Sequence, residues 1–226
     1  MGTTHNDTLS ADDGRRSIEI ISRMIVDTQA HIDRESGKYF LLWGYTTVVV
    51  SLAEYFAQVF GIDTTLCLYG WYLIPLVGGV GMLLLARSRS RSAIPRPKSY
   101  IDRCINAVWS VFGLSYIMAF IAALVYGVSI LYLTVLLMGM GTVITGLVCR
   151  HRVLTLSGIA GMLLSLLFPA RHLLFRDMGP AILDISISPI EFVLYIDIAI
   201  FALIFIVMMV VPGHILLHRA KRRGNA

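Results

Sequence analysis

Two acidic side chains lie inside long apolar segments of this sequence, where an ionised group needs a partner or a purpose. Glu54 lies about seven residues before the end of the apolar segment 39–61, and Asp197 about six residues after the start of segment 191–212. An ionisable group at the centre of a membrane costs about 2.5–3.5 kcal/mol on insertion scales. The two carboxylates are therefore the first candidates for chemistry.

Two further polar residues belong with them. Gln58 lies one helical turn after Glu54, and Arg171 lies at the end of the apolar segment 153–173. Since a helix rises about 1.5 Å per residue, both carboxylates fall at similar depth, in the half of the bundle where Arg171 lies. The group predicts a proton or cation site open to the outer side. The alternative is that the carboxylates have only a structural role, either in an ion pair or close enough to the interface to contact water.

Other residues of chemical interest have no partners at useful spacing. His214 and His218 are four positions apart, but no carboxylate or thiolate follows at the spacing of a zinc site. The three cysteines, Cys67, Cys104 and Cys149, show no metal-ligand spacing either. Phosphate-binding loops and nucleophile motifs are also absent from the sequence. We therefore predict no metal, no cofactor and no enzymatic activity.

The composition identifies the elements that would position these residues. Of 226 residues, 57% are hydrophobic and 15% are charged, against about 45–50% and about 25% in soluble domains. Six apolar runs reach the roughly 20 residues that cross a bilayer as a helix. The runs are 39–61, 67–86, 104–126, 129–149, 153–173 and 191–212. The predicted fold class is all-α, a polytopic membrane bundle of six transmembrane helices, in which Pro212 and Gly213 kink or end the last helix.

The basic residues predict the orientation of this bundle. All but two of the 19 lysines and arginines lie in the N-terminal segment, after the second or fourth run, or in the C-terminal tail. An even number of spans places these four regions on one side, which the positive-inside rule assigns to the cytoplasm. The two exceptions are Arg171 and Arg176. The alternating Arg and Ser at 87–92 adjoin a membrane helix, so we expect attraction to anionic lipids at the cytoplasmic face and no direct binding of nucleic acid.

Three parts follow along the chain: a cytoplasmic N-terminal segment over 1–38, the transmembrane domain over 39–217, and a basic cytoplasmic tail over 218–226. Residues 17–34 are predicted to form an amphipathic helix. Its apolar positions follow helical spacing and are Ile18, Ile21, Ile25 and Ile32. Such a helix lies on the inner membrane surface, docks on a partner, or packs on its own bundle, and the sequence leaves these alternatives open.

Four short stretches resemble an uncharacterised family of six-span bacterial inner-membrane proteins, from Bacteroides-like bacteria. The stretches are Arg16–Ile21 with Met24 and Ile25, Phe40–Tyr45, Tyr100–Arg103 with Trp109, and Val211–Leu216. The resemblance implies a bacterial inner-membrane location but supplies no functional residues. Genes of this kind often neighbour small winged-helix regulators, which makes a cytoplasmic regulatory protein the candidate partner.

Three functions are compatible with these features. The favoured prediction is a non-enzymatic membrane component that docks a cytoplasmic partner or senses a membrane condition, because of the amphipathic helix and the basic inner loops. The alternative is a small ion- or proton-coupled transporter that uses Glu54, Asp197 and Arg171. An intramembrane enzyme ranks last, because no nucleophile–base pair or metal set is visible.

Overall fold

A computed structural model describes residues 4–62, 70–92, 100–126, 130–170 and 189–224. These residues form helices joined by short turns, and none of them lies in a strand. The helices are α1 (Thr4–Val59), α2 (Leu73–Ser92), α3 (Tyr100–Tyr126), α4 (Ile130–Val148), α5 (Arg152–Ser165), α6 (Pro189–Phe205) and α7 (Val211–Gly224), with a π-helical turn (Ile206–Val210) between the last two. The all-α class is confirmed.

Within the described ranges, five helices are long and apolar enough to cross a membrane. They cover Arg15–Val59, Arg103–Ala122, Ile130–Val148, Arg152–Ala170 and Ile196–Arg223. The apolar part of α2, Leu73–Ser88, is shorter. Its predicted span starts at residue 67, and residues 63–69 lie outside the described ranges. A bundle of apolar helices is thus established, and a sixth full span stays a prediction.

Many large apolar side chains point outward from this bundle. Leu83 in α2 is 71% exposed, Leu114 in α3 is 62% exposed and Leu156 in α5 is 67% exposed. Water-soluble monomers rarely expose continuous apolar surface of this kind, whereas lipid-facing positions require it. The outward faces of the helices are therefore suited to a bilayer.

α1 runs without interruption from Thr4 to Val59, so the predicted N-terminal amphipathic helix and first span are one helix. Gly37 lies at the predicted boundary, but no proline accompanies it, and a single glycine weakens a helix by only about 1 kcal/mol. Gly37 is also a packing site, because a Cβ there would lie 3.1 Å from the carbonyl oxygen of Gly213.

The C-terminal helix continues through Pro212, so of the two predicted outcomes, a kink or an end of the helix, the end is contradicted. Proline lacks an N–H for the carbonyl four residues earlier and its ring crowds that carbonyl. The π-helical turn Ile206–Val210 lies immediately before Val211 and Pro212, and its wider backbone gives the ring room. The result is one continuous helical rod from Pro189 to Gly224, which forms the centre of the bundle.

α1 packs antiparallel against this rod through small residues. A Cβ added to Gly213 would lie 2.8 Å from the side chain of Leu41, and one added to Gly44 would lie 3.3 Å from the backbone nitrogen of Val210. Such close approach fixes the register, with Gly37 opposite Gly213 and Gly44 opposite Val210. The core that forms around this pair and α4–α5 includes Phe40, Val135, Leu154, Phe168, Phe205, Met208 and Leu216.

Candidate functional site

The N-terminal part of α1 extends beyond the bundle, and the apolar side chains of this part are exposed. Residues 15–26 are all exposed. Ile18 is 69% exposed, Ile21 56% and Ile25 59%. We call these three residues the isoleucine stripe. Among the three alternatives for this helix, packing on its own bundle is contradicted at these positions.

The opposite face of the same segment is charged. Arg23 donates a hydrogen bond of 2.9 Å to Oε1 of Glu19, one turn earlier, and both side chains are more than half exposed. At 100° per residue, Arg23 and Glu19 lie across the helix from the isoleucine stripe. The isoleucine stripe is therefore separated from this charged pair, and Ile20, which is 52% exposed, lies outside the stripe.

A buried aspartate marks the base of this projecting segment. Asp33 is fully buried, and its Oδ1 contacts Nε2 of His151 while its Oδ2 accepts a hydrogen bond of 3.1 Å from Arg223 Nη1. The three residues, the Asp33 cluster, join α1 to the start of α5 and to α7. The exposed residues 15–26 of α1 lie just before this cluster along the helix.

A tight turn between α4 and α5 holds His151 in place. Arg150 adopts a left-handed conformation with φ 55°, which reverses the chain within two residues. The His151 N–H donates to the Gly146 carbonyl at 2.7 Å, and the His151 carbonyl accepts from the Thr155 N–H at 3.1 Å. His151 is only 4% exposed, so its imidazole is fixed against Asp33.

The electrostatics of the Asp33 cluster suit a structural clamp. The guanidinium of Arg223 is positive throughout the physiological range, and the His151 contact becomes an ion pair when the ring is protonated. Burying the carboxylate of Asp33 is tolerable because both oxygens face cationic groups or donors. Sequence reasoning missed this cluster. The available signal was one carboxylate, Asp33, at helical spacing with Gly37, Phe40 and Gly44 on the packed face.

The two carboxylates singled out from the sequence are both buried. Glu54 is 6% exposed and Asp197 is 9% exposed. The carboxylate of Glu54 packs on the backbone of Gly70, where a Cβ would collide with Oε1, so a larger residue would displace it. Next to Gly70, the ring of Trp71 contacts Phe201 edge-on at 5.7 Å between centroids. Phe201 lies one turn after Asp197, so both carboxylates lie beside the start of α2.

The register of α1 against the rod agrees with this placement. Asp197 lies 13 positions before Val210, and Ala57 lies 13 positions after Gly44, which is the residue opposite Val210. Asp197 is therefore level with the turn from Glu54 to Gln58.

The remaining residue of the predicted site, Arg171, lies outside the described residues. The structure therefore brings Glu54, Gln58 and Asp197 to one region, and the role of Arg171 stays a prediction.

The histidines of α7 occupy a different region. Nε2 of His214 and the hydroxyl of Tyr45 share a hydrogen bond of 2.7 Å, and the two rings meet edge-on. In the part of the chain that the structure describes, no three His, Cys, Asp or Glu side chains come together as metal ligands. His214 thus has a neighbour on α1 that accounts for its position.

Comparison with known proteins identified no relative of this chain. The resemblance to six-span bacterial inner-membrane proteins rests on its four short stretches alone, so it stays a prediction. No protein-family model, curated protein or solved structure matches the chain.

Proposed function

We propose that the chain is a non-enzymatic docking protein of the bacterial inner membrane, whose isoleucine stripe binds a cytoplasmic regulatory protein. The observation that carries this proposal is the exposure of Ile18, Ile21 and Ile25 on a helix that continues from the bundle. Fully burying one isoleucine contributes about 1.5–3 kcal/mol, so an uncovered row of them favours association.

The membrane surface is a poor binding partner for the isoleucine stripe. Residue 25 lies 14 positions before Tyr39, where the predicted span starts, which is about 20 Å along a helix. Because α1 is unbroken between these positions, the stripe stands away from the headgroups rather than in their plane. Lys221 and Arg222, at the end of α7, lie closer to the predicted membrane surface than the isoleucine stripe does. Attraction to anionic lipids therefore suits these two basic residues better.

A groove on another protein also suits the isoleucine stripe better than a second copy of the chain does. Stable coiled coils repeat apolar positions over at least three to four heptads. Here the repeat is interrupted by Thr28 after Ile25, and the next position, Ile32, is half-buried against the bundle. Anchors at i, i+3 and i+7 over two turns match the way an amphipathic helix enters an apolar groove.

Photo-crosslinking in cells tests this function. A photoreactive residue at Ile21 should capture a cytoplasmic protein, whereas the same residue at Arg23, on the opposite face, should not. The captured protein, once purified, should bind the native chain in nanodiscs and lose at least about 100-fold in affinity for the variant with Ile21→Glu and Ile25→Glu. The matched variant Glu19→Gln should bind normally.

Three results would overturn the proposal. Crosslinks from Ile21 to lipid alone would place the stripe in the membrane. Crosslinks only between copies of the chain would assign the stripe to an oligomer. Equal binding of the captured protein to the native chain and to the double variant would show that its contact lies elsewhere.

A further inference from the structure

An open depression on α7 is lined mainly by side chains that can donate hydrogen bonds to an anion. Its volume is about 550 Å³, and its lining residues are His214, Ile215, His218, Arg219 and Arg222. We infer that this depression, the α7 basic site, binds the headgroup of an anionic phospholipid in the cytoplasmic leaflet. The inference goes beyond the docking function and does not depend on it, because the isoleucine stripe lies on α1.

The donors of the α7 basic site suit a phosphate group. The guanidinium groups of Arg219 and Arg222 present planar sets of N–H donors that match the geometry of phosphate oxygens. His214 adds a further donor, because its Nε2 and the Tyr45 hydroxyl share a hydrogen bond of 2.7 Å. When the hydroxyl donates this bond, Nδ1 of His214 carries the ring proton and can donate to a ligand.

The charge of the lining selects an anionic headgroup over a zwitterionic one. A zwitterionic headgroup carries an ammonium group beside its phosphate, and burying that group favours a nearby carboxylate. In the part of the chain that the structure describes, no acidic side chain lines the depression. Asp33, the carboxylate near the end of α7, is held by His151 and Arg223 instead. A headgroup with net negative charge therefore complements the site best.

The site lies at the level of the predicted inner membrane interface. The predicted sixth span ends at residue 212, and Gly213 lies opposite Gly37, two positions before the predicted first span. His214 therefore comes just beyond the hydrocarbon, where the headgroup layer is roughly 5–7 Å thick. Helical side chains tilt toward the N-terminus of their helix, which is the membrane side of α7. This tilt explains how Arg222 lines the same depression as His214, two turns earlier.

Exposed apolar side chains continue the same face of the rod into the predicted hydrocarbon. Leu203, Val207 and Val211 are exposed, and they precede His214 and His218 at spacings of three or four positions. Residues at these spacings share one face of a helix. An apolar row followed by basic donors has the polarity of a phospholipid, with acyl chains first and headgroup second. A water-soluble phosphate compound would match only the basic part.

The helix dipole does not account for the whole basic set. Positive side chains at a helix C-terminus interact favourably with the dipole, but this effect falls off within the last turn. The basic residues of the last turn of α7 are Lys221, Arg222 and Arg223. His218 and Arg219 lie six and five positions before the end of the helix at Gly224, so a bound anion explains their place better.

Native mass spectrometry of the full chain released from detergent micelles tests the inference. The chain would be titrated with phosphatidylglycerol or phosphatidylcholine of identical acyl chains. We expect one phosphatidylglycerol to bind saturably, with an affinity at least about tenfold above that of phosphatidylcholine. The double variant Arg219→Gln and Arg222→Gln should bring the two affinities close together. The control variant Arg152→Gln and Lys221→Gln removes the same charge from exposed positions outside the depression and should keep the preference.

The outcomes separate a lipid site from its alternatives. Glycerophosphoglycerol, the same headgroup without acyl chains, should bind far more weakly; equal affinity would assign the site to a soluble phosphate compound and overturn the inference. An equal loss of preference in both double variants would show diffuse attraction to the basic surface and overturn it too. So would equal affinity of the native chain for the two lipids. If the arginine double variant does not fold, Arg222→Gln and Lys221→Gln as single changes give the same comparison.

Discussion

Replacing Asp33 with asparagine is expected to lower the free energy of unfolding by about 3 kcal/mol. The substitution keeps the shape of the side chain but removes the charge that faces His151 and Arg223 in a fully buried position. Breaking a buried ion pair costs about 3–5 kcal/mol. The lower end applies because Arg223 is 40% exposed and can turn to water.

Unfolding in SDS-containing mixed micelles measures this change. Glu19→Gln is the matched control, because it removes a carboxylate of the same helix whose partner, Arg23, is exposed. Exposed pairs contribute little, so its effect should stay within ~0.5 kcal/mol. A loss below ~1 kcal/mol for Asp33→Asn, similar to the control, would show that the Asp33 cluster does not clamp the base of the projecting segment.

The variant Gly146→Ala should be the most damaging single methyl addition among the α4–α5 contacts. The new Cβ would lie 2.5 Å from the backbone nitrogen of Thr155 and 3.0 Å from the carbonyl carbon of Leu154. Backbone atoms cannot rotate away, so the two helices must separate, at about 1–3 kcal/mol for overpacking. The same shift would disturb the turn that holds His151.

The variant Gly113→Ala, on α3, should have the opposite effect on stability. A Cβ there would meet nothing within 4 Å, so the change should leave stability unaltered or raise it by up to ~1 kcal/mol through helix propensity. Thermal unfolding of both variants in one detergent compares them directly. If Gly146→Ala unfolds at the same temperature as Gly113→Ala, α4 and α5 do not approach each other as closely at Gly146 as described.

Local physics explains which parts of the fold were predictable. Apolar runs of about 20 residues identify helices, because length and hydropathy are properties of each segment alone. The prediction that Glu54 and Asp197 lie at similar depth rests on the fixed rise of a helix. The continuity of the C-terminal rod did not follow, because Pro212 is accommodated by a π-helical turn that no residue pattern announces.

Long-range contacts explain what the sequence could not reveal. Asp33 and Arg223 are 190 positions apart, and their pairing depends on the register that Gly37 and Gly213 set. Spacing within one helix carries no information about such partners.

The proposed docking function requires the isoleucine stripe to stand in the cytoplasm, away from lipid and accessible to a protein partner. A nitroxide spin label at residue 21 of the chain in liposomes tests it directly, through its collision rates with a water-soluble nickel complex and with oxygen. We expect high nickel accessibility at residue 21, similar to that of a label at residue 23, with a drop at residue 21 alone when the partner is added. Low nickel and high oxygen accessibility at residue 21 without the partner would place the stripe in the bilayer and contradict the proposed docking function.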